Sequence, residues 1–256
     1  MPEDRSLGLL LHGGSKVGKT RLAASAPKPV LILDAEGGSR FLKNPLPGQQ
    51  PLRMIEWQID KYAPPAYDGS WDVCVVFVRN YATMQAVYAW LDSGKHDFAS
   101  VVIDSLSEVQ QRCIDGLVGV NPMKTQDWGT LLRELSGLVR KFRDLTFHLI
   151  KPLQCVVLVA MSRQVDGKWI PYAQGQLATT LPYYMDVIAY LQVMQLDDGS
   201  GSGVTQSHRV LMLSPEPQYE AGDRTCTLPQ YLVDPDVVTM INLVHPVHQP
   251  EGAVSG

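Results

Sequence analysis

A surplus of positive charge is missing from this 256-residue chain. Its 22 lysines and arginines stand against 26 aspartates and glutamates, a net charge of −4, and its isoelectric point is about 5.8. That balance excludes a protein that coats nucleic acid by bulk charge, although a local basic surface stays open. Cysteine is scarce. Cys74, Cys113, Cys155 and Cys226 form no C-x-x-C pair, which argues against a zinc site or a disulfide framework. Cys74 and Cys155 lie inside apolar runs and are expected to be buried, reduced thiols. Long apolar stretches are lacking too. The densest, Cys155–Met161, is far too short to cross a bilayer. The opening Met1-Pro2-Glu3-Asp4 carries no basic segment with an apolar run behind it, so no secretory signal is expected. His245 and His248 have a loose ligand spacing but sit in a proline-bearing tail, where solvation is the expectation. No internal repeat is present. With 45% hydrophobic and 19% charged residues, the length suits one α/β domain with a real core, or at most two small ones.

Against these absences stands Gly13-Gly14-Ser15-Lys16-Val17-Gly18-Lys19-Thr20, which satisfies G-x-x-x-x-G-K-[ST] at every fixed position. Glycines let a backbone fold closely around a phosphate so that several N–H groups face one anion. Lys19 would reach the β- and γ-phosphates, and the Thr20 hydroxyl would ligate Mg²⁺. The context suits the motif: Leu7–Leu11 is a short apolar run before the loop. Lys19–Ser25 offers helix formers after it, so the phosphates would also meet a helix N-terminus. ATP is therefore the expected ligand.

Four further continuous apolar runs, Val30–Leu33, Val73–Val78, Val101–Ile103 and Cys155–Ala160, predict strands buried on both faces of a mostly parallel sheet. Helices are predicted at Lys19–Ser25, Thr83–Leu91 and Asp127–Leu145. In the last, Trp128, Leu131, Leu132, Leu135, Leu138, Val139, Phe142 and Leu145 draw one apolar stripe. Trp128 is thereby expected in the core, with Asp127 as N-cap. Such alternation gives a doubly wound α/β domain. Beyond residue 180, Val187–Gln195 and Arg209–Leu213 predict a C-terminal β-hairpin extension joined by Leu196–Ser207, whose Asp197–Gly203 stretch forms a flexible tip. A last helix is expected at Pro235–Val244. A single domain is thus expected over residues 1–244, with 245–256 a disordered tail.

The run Val101-Val102-Ile103-Asp104-Ser105 delivers Asp104 to the carboxyl end of a strand, where it would hold the Mg²⁺ hydration shell in the Walker B manner. Serine, not glutamate, follows it, so a hydrolytic base must come from elsewhere. Glu36, just past the strand tip of Leu31-Ile32-Leu33-Asp34-Ala35-Glu36-Gly37-Gly38, is the candidate, with Glu108 as rival; Asp34 or Glu36 could instead cap the turn. Ser162 or Gln164, after the fifth run, stands where a γ-phosphate sensor would sit.

With these residues in hand the chain resembles the RecA core. LILDAEGG looks like the RecA-family strand whose glutamate is the catalytic base, and VVIDSLSEV looks like that family's Walker B followed by Ser. It is more closely similar to the compact phage-encoded RecA-like recombination ATPases of the Sak group. GGSKVGKT, the Gln126-Asp127-Trp128-Gly129 approach to the long helix, and the Gly175-Gln176-Leu177…Leu181-Pro182 segment before Asp186 carry that likeness. The resemblance spans roughly residues 7–243. It implies a RecA-like P-loop NTPase core, a Mg²⁺-dependent ATPase stimulated by single-stranded DNA. Its expected role is strand annealing or exchange in phage recombination, in the cytoplasm of the bacterial host. A ring helicase core or helicase loader is the alternative, with a small-molecule kinase behind it. It also implies DNA-binding loops at about Leu117–Gly129 and Arg163–Thr179. There Lys124, Arg163 and Lys168 would neutralise phosphates and Trp169 would stack on bases. A homo-oligomer with ATP sites between protomers follows, with Arg224 or Arg209 as the cation given to a neighbour. A single-strand DNA-binding protein is a further candidate partner; no membrane is expected.

Overall fold

The computed structural model describes residues 5–45, 50–197 and 205–246. Among them, one sheet runs in the order β11-β9-β8-β1-β6-β5-β2-β4-β3, with β11 (Tyr231–Val233) and β9 (Thr205–Met212) at one side. Its parallel centre consists of β8 (Val187–Asp197), β1 (Leu7–Gly13), β6 (Cys155–Val165), β5 (Ser100–Asp104), β2 (Val30–Asp34), β4 (Val73–Phe77) and β3 (Met54–Glu56). All five predicted apolar runs are strands. Alternate residues of each feed two separate cores. Leu10, Leu31, Leu33, Val101, Ile103, Val156 and Leu158 face one; Leu9, Leu11, Val30, Ile32, Val102 and Val157 face the other. Both faces are covered, which is why these strands are continuously apolar rather than alternating.

On the first face lie α2 (Tyr81–Asp92), α3 (Leu106–Val118), α4 (Thr125–Asp144) and α5 (Leu177–Thr180). On the second lie α1 (Lys19–Ala23) and α6 (Val237–Val244). The structure therefore has the mixed α/β architecture of a P-loop ATPase. None of these helices is long and apolar enough to cross a membrane.

Several expectations are corrected. The long helix starts at Thr125, and Asp127 is not its N-cap. Its carboxylate sits in the first turn and accepts the Lys124 N–H at 2.8 Å, where a negative charge favours the helix dipole. Trp128 is 40% exposed, because the stripe meets the core only from Leu131 onward. Of the predicted loop Leu117–Gly129, residues 119–124 connect the two helices, while its two ends belong to α3 and α4. The predicted C-terminal β-hairpin is present and extends the central sheet: β8 pairs in parallel with β1, and β9 (Thr205–Met212) continues the same sheet antiparallel to β8. The hairpin tip, apart from Asp197 at the end of β8, lies outside the described residues, as does His248. His245 is not simply solvated, since its Nε2 lies 2.9 Å from the Ser6 carbonyl, and Arg5 donates to the His245 carbonyl at 2.9 Å. Cys74, Cys113 and Cys155 are buried free thiols and Cys226 is an exposed one; burial pushes the Cys74 thiol up to about 12.

Candidate nucleotide site

β1 runs straight into the phosphate loop. Gly13 passes so close to β8 that a Cβ there would drive into the Leu191 carbonyl oxygen. Gly18 has φ +104, a left-handed geometry that side chains resist. Lys19 Nζ lies in the bowl of the loop, donating to the carbonyls of Gly13 at 3.0 Å and Gly14 at 2.7 Å. Burial lowers the Lys19 pKa, while Asp104 and Glu36 act to raise it.

The sheet order decides what faces this lysine. β6 lies between β1 and β5, and β2 lies on the far side of β5. The registers set Asp34 beside Asp104 and Gly13 beside Met161, so the tips of β1, β6, β5 and β2 line one edge. There the Thr20 hydroxyl donates to Asp104 Oδ2 at 2.5 Å, joining the two residues expected to hold Mg²⁺. Burial pushes the Asp104 carboxyl up to about 6, and Glu36 and Asp34 add to it, against Thr20 and Lys19. An alcohol and a carboxylate are hard oxygen donors of the kind Mg²⁺ takes. Among the described residues no group of three or more His, Cys, Asp and Glu could hold a metal unaided; a cation here would need phosphate oxygens as well.

Glu36 reaches this edge because Asp34 shapes the turn before it. Asp34 Oδ1 accepts the backbone N–H groups of Glu36, Gly37 and Gly38 at 3.0, 2.6 and 3.3 Å, and Oδ2 accepts the Ser39 N–H at 2.9 Å and the Ser39 hydroxyl. The capping role thus falls to Asp34. The Glu36 carboxylate instead accepts the Ser105 hydroxyl, across the cis Asp104-Ser105 peptide. A Cβ at Gly38 would sit 3.5 Å from Thr20 Oγ1, so this turn abuts the Thr20–Asp104 pair. Glu108, the rival base, lies in the first turn of α3 and pairs with Arg112 at 3.0 Å. Ser105 caps that helix by accepting the Glu108 N–H at 3.3 Å. The spacing Ser105-x-x-Glu108 is itself a helix-start signal, and it would have found α3.

Ser162 lies one residue beyond the level of Gly13 on β6, with its Oγ 2.9 Å from His12 Nδ1. The segment beyond is mostly ordered. β6 continues to Val165 and returns as β7 (Lys168–Pro171) through Asp166 and Gly167, both at positive φ. This arm carries Arg163, Lys168 and Trp169. The Arg163 guanidinium lies 5.7 Å from the Tyr172 ring centre, Lys168 pairs with Glu220 at 2.7 Å, and Trp169 is 36% exposed. Lys124 stands apart, at the start of α4.

The two candidate trans cations part company. Arg209, on β9, lies against the phosphate loop of its own chain, with Nε donating to the Val17 carbonyl at 3.2 Å. Arg224 follows the short β10 (Gly222–Asp223), which pairs with the beginning of β8. There it donates to the Tyr183 carbonyl at 3.0 Å and lies 3.8 Å from Asp186, at the opposite end of β8 from the loop. His12, Glu220 and the intramolecular contact of Arg209 all escape sequence inspection, because each acts through a partner far away in the chain.

A family model described as an AAA domain matches residues 5–225. Among solved structures, the chain is similar to an ATPase from the type III secretion system of pathogenic bacteria. The identity is 13%, the match covers 73% of this chain and 52% of the other, and the TM-score is 0.45. The chain therefore spans about half the length of that protein. No curated protein matches it. The match over 5–225, on a sheet whose strand tips gather Lys19, Thr20, Asp104 and Glu36, makes this chain a member of the AAA-domain family of P-loop ATPases.

Proposed function

We propose that this protein is a RecA-like ATPase that binds single-stranded DNA and promotes strand annealing or exchange, as a phage recombination protein in a bacterial cytoplasm. The observation that carries the reading is the meeting of two distant motifs. The Glu36 carboxylate of the DAEGG run is held by Ser105, beside the Thr20–Asp104 pair. A carboxylate so placed can orient water toward a γ-phosphate. Lys19 would neutralise β- and γ-oxygens from within the loop. Thr20 and Asp104 would hold Mg²⁺, whose charge would offset that of the phosphates.

The β6–β7 arm supports the DNA half of the reading. It projects from the tip of β6, the strand between β1 and β5, and offers Arg163, Lys168 and a part-exposed Trp169, a cation and stacking set suited to single strands. Lys124 would add a phosphate contact from α4. The net charge of −4 implies weak binding per subunit, so DNA would be held collectively by an oligomer. In such an assembly Arg224 of one protomer would complete the neighbour's site, with a single-strand DNA-binding protein as a further partner.

The test is phosphate release with and without single-stranded DNA, using Lys19→Ala as the inactive control. DNA-stimulated release together with annealing supports the proposal. ATP hydrolysis coupled to strand displacement would assign a helicase, and nucleoside phosphorylation would assign a kinase.

A further inference from the structure

His12 is the last residue before the phosphate loop and is fully buried. Both of its ring nitrogens are engaged. Nε2 lies 2.6 Å from the Glu220 carbonyl oxygen and Nδ1 lies 2.9 Å from Ser162 Oγ. A carbonyl only accepts, so Nε2 carries the proton, and a neutral ring then has a lone pair at Nδ1 for the Ser162 hydroxyl to donate into. Burial keeps the ring neutral by lowering its pKa to about 4. Two consequences follow. Ser162 spends its only proton on His12, so toward a nucleotide it offers lone pairs alone: it can receive a water or the Lys19 ammonium but cannot donate to a phosphate. Glu220, in turn, clamps the outer strand of the arm. Its N–H donates to the Trp169 carbonyl at 2.8 Å, its carboxylate holds Lys168 at 2.7 Å, and the Trp169 N–H donates to the Gln218 carbonyl at 2.8 Å. Tyr190 packs on the His12 ring at 5.2 Å and stacks on Tyr219 at 5.2 Å, so the 218–220 segment is tied to β8 as well.

We propose that His12 is the positioning residue that joins the stem of the phosphate loop to the β6–β7 arm, through Ser162 on one side and the Glu220 clamp on the other. Movement of the loop stem when nucleotide binds then reaches Lys168 and Trp169 by a hydrogen-bonded chain rather than through the sheet alone. The inference rests on the ATPase reading, but it does not require that the arm's ligand be DNA.

Hydrogen–deuterium exchange on the full chain tests it, with and without a non-hydrolysable ATP analogue and Mg²⁺, with analogue affinity measured separately. In the unaltered protein the analogue should slow exchange of the Lys168, Trp169 and Ile170 amides by about 3–10-fold, the range a net hydrogen bond is worth. His12→Phe keeps the ring packing and removes both links; it should bind the analogue and lose the response. His12→Asn keeps a polar group where Nδ1 was and frees Glu220, so exchange in the arm should already be fast without nucleotide. His12→Gln reaches the Glu220 carbonyl but releases Ser162, so basal exchange should stay normal while the nucleotide response disappears. A merely structural role would move basal exchange and response together. A response that survives in His12→Phe or His12→Gln overturns the proposal, as does an unaltered protein that binds the analogue with no change in the arm. An unaltered protein that fails to bind the analogue overturns the ATPase reading, and this inference with it.

Discussion

Replacing Gly18 by alanine should separate backbone strain from side-chain collision at the phosphate loop. Gly18 has φ +104, and a Cβ built on it would lie 2.5 Å from Arg209 Nε and 3.2 Å from Arg209 Cδ. Holding alanine in a left-handed geometry costs about 1–2 kcal/mol. The guanidinium must also move, giving up its 3.2 Å bond to the Val17 carbonyl. A bond from a charged donor is worth ~1.5–3 kcal/mol when buried, and about 1 kcal/mol is expected for this part-exposed one. Gly18→Ala should therefore destabilise the fold by about 2–3 kcal/mol. In an Arg209→Ala background the collision is gone and only the backbone cost of about 1–2 kcal/mol remains, so the double-mutant cycle should show coupling of about 1 kcal/mol. Urea unfolding of the four proteins, followed by circular dichroism, measures this. Equal costs in both backgrounds would refute the Arg209 contact, and no cost in either would refute the loop geometry.

Glu36→Gln should retain ATP binding while slowing turnover by roughly 10²–10⁴, the contribution of a lost general base. Glu108→Gln, which only breaks the Arg112 pair, should turn over normally, and the reverse pattern in a phosphate-release assay would exchange their roles. Asp104→Asn should weaken Mg²⁺-dependent turnover more than nucleotide binding, which a magnesium titration at saturating ATP reads directly. Mixing Arg224→Ala with Lys19→Ala protein, each inactive alone, should restore part of the ATPase rate if sites are shared between protomers; Arg224→Ala protein that is active by itself removes Arg224 from that role. Burial holds His12 and His96 at about 4 when folded, against 6.5 for a free histidine. Between those values the unfolded chain binds more protons, so stability should fall as pH drops from 6.5 toward 4. His96→Phe should flatten that fall in unfolding midpoints, and an unchanged slope would show that His96 is not held neutral.

The phosphate loop, the five parallel strands and the long helix are all legible in the residues, because each is a local pattern. Glycine spacing shapes a loop, continuous apolar runs mark doubly covered strands, and a three-four stripe marks a helix. Asp104 and Glu36 could be placed at strand tips for the same reason. Local pattern is silent about which tips adjoin. The pairing of β2 with β5 brings Glu36 to Ser105, and the insertion of β6 between β1 and β5 puts Ser162 beside the loop. Arg209 looks, in sequence, like a cation free to reach a neighbour, yet β9 folds it onto its own phosphate loop. Trp128 begins the apolar stripe but overhangs the core edge, a matter of where helix and sheet cross. His12 reads as one more strand residue, and only the folded chain brings Ser162 and Glu220, 150 and 208 positions away, to its two nitrogens. Side-chain periodicity is set by backbone geometry within a few residues, whereas strand order and long-range hydrogen bonds are set by how the two cores close over the sheet.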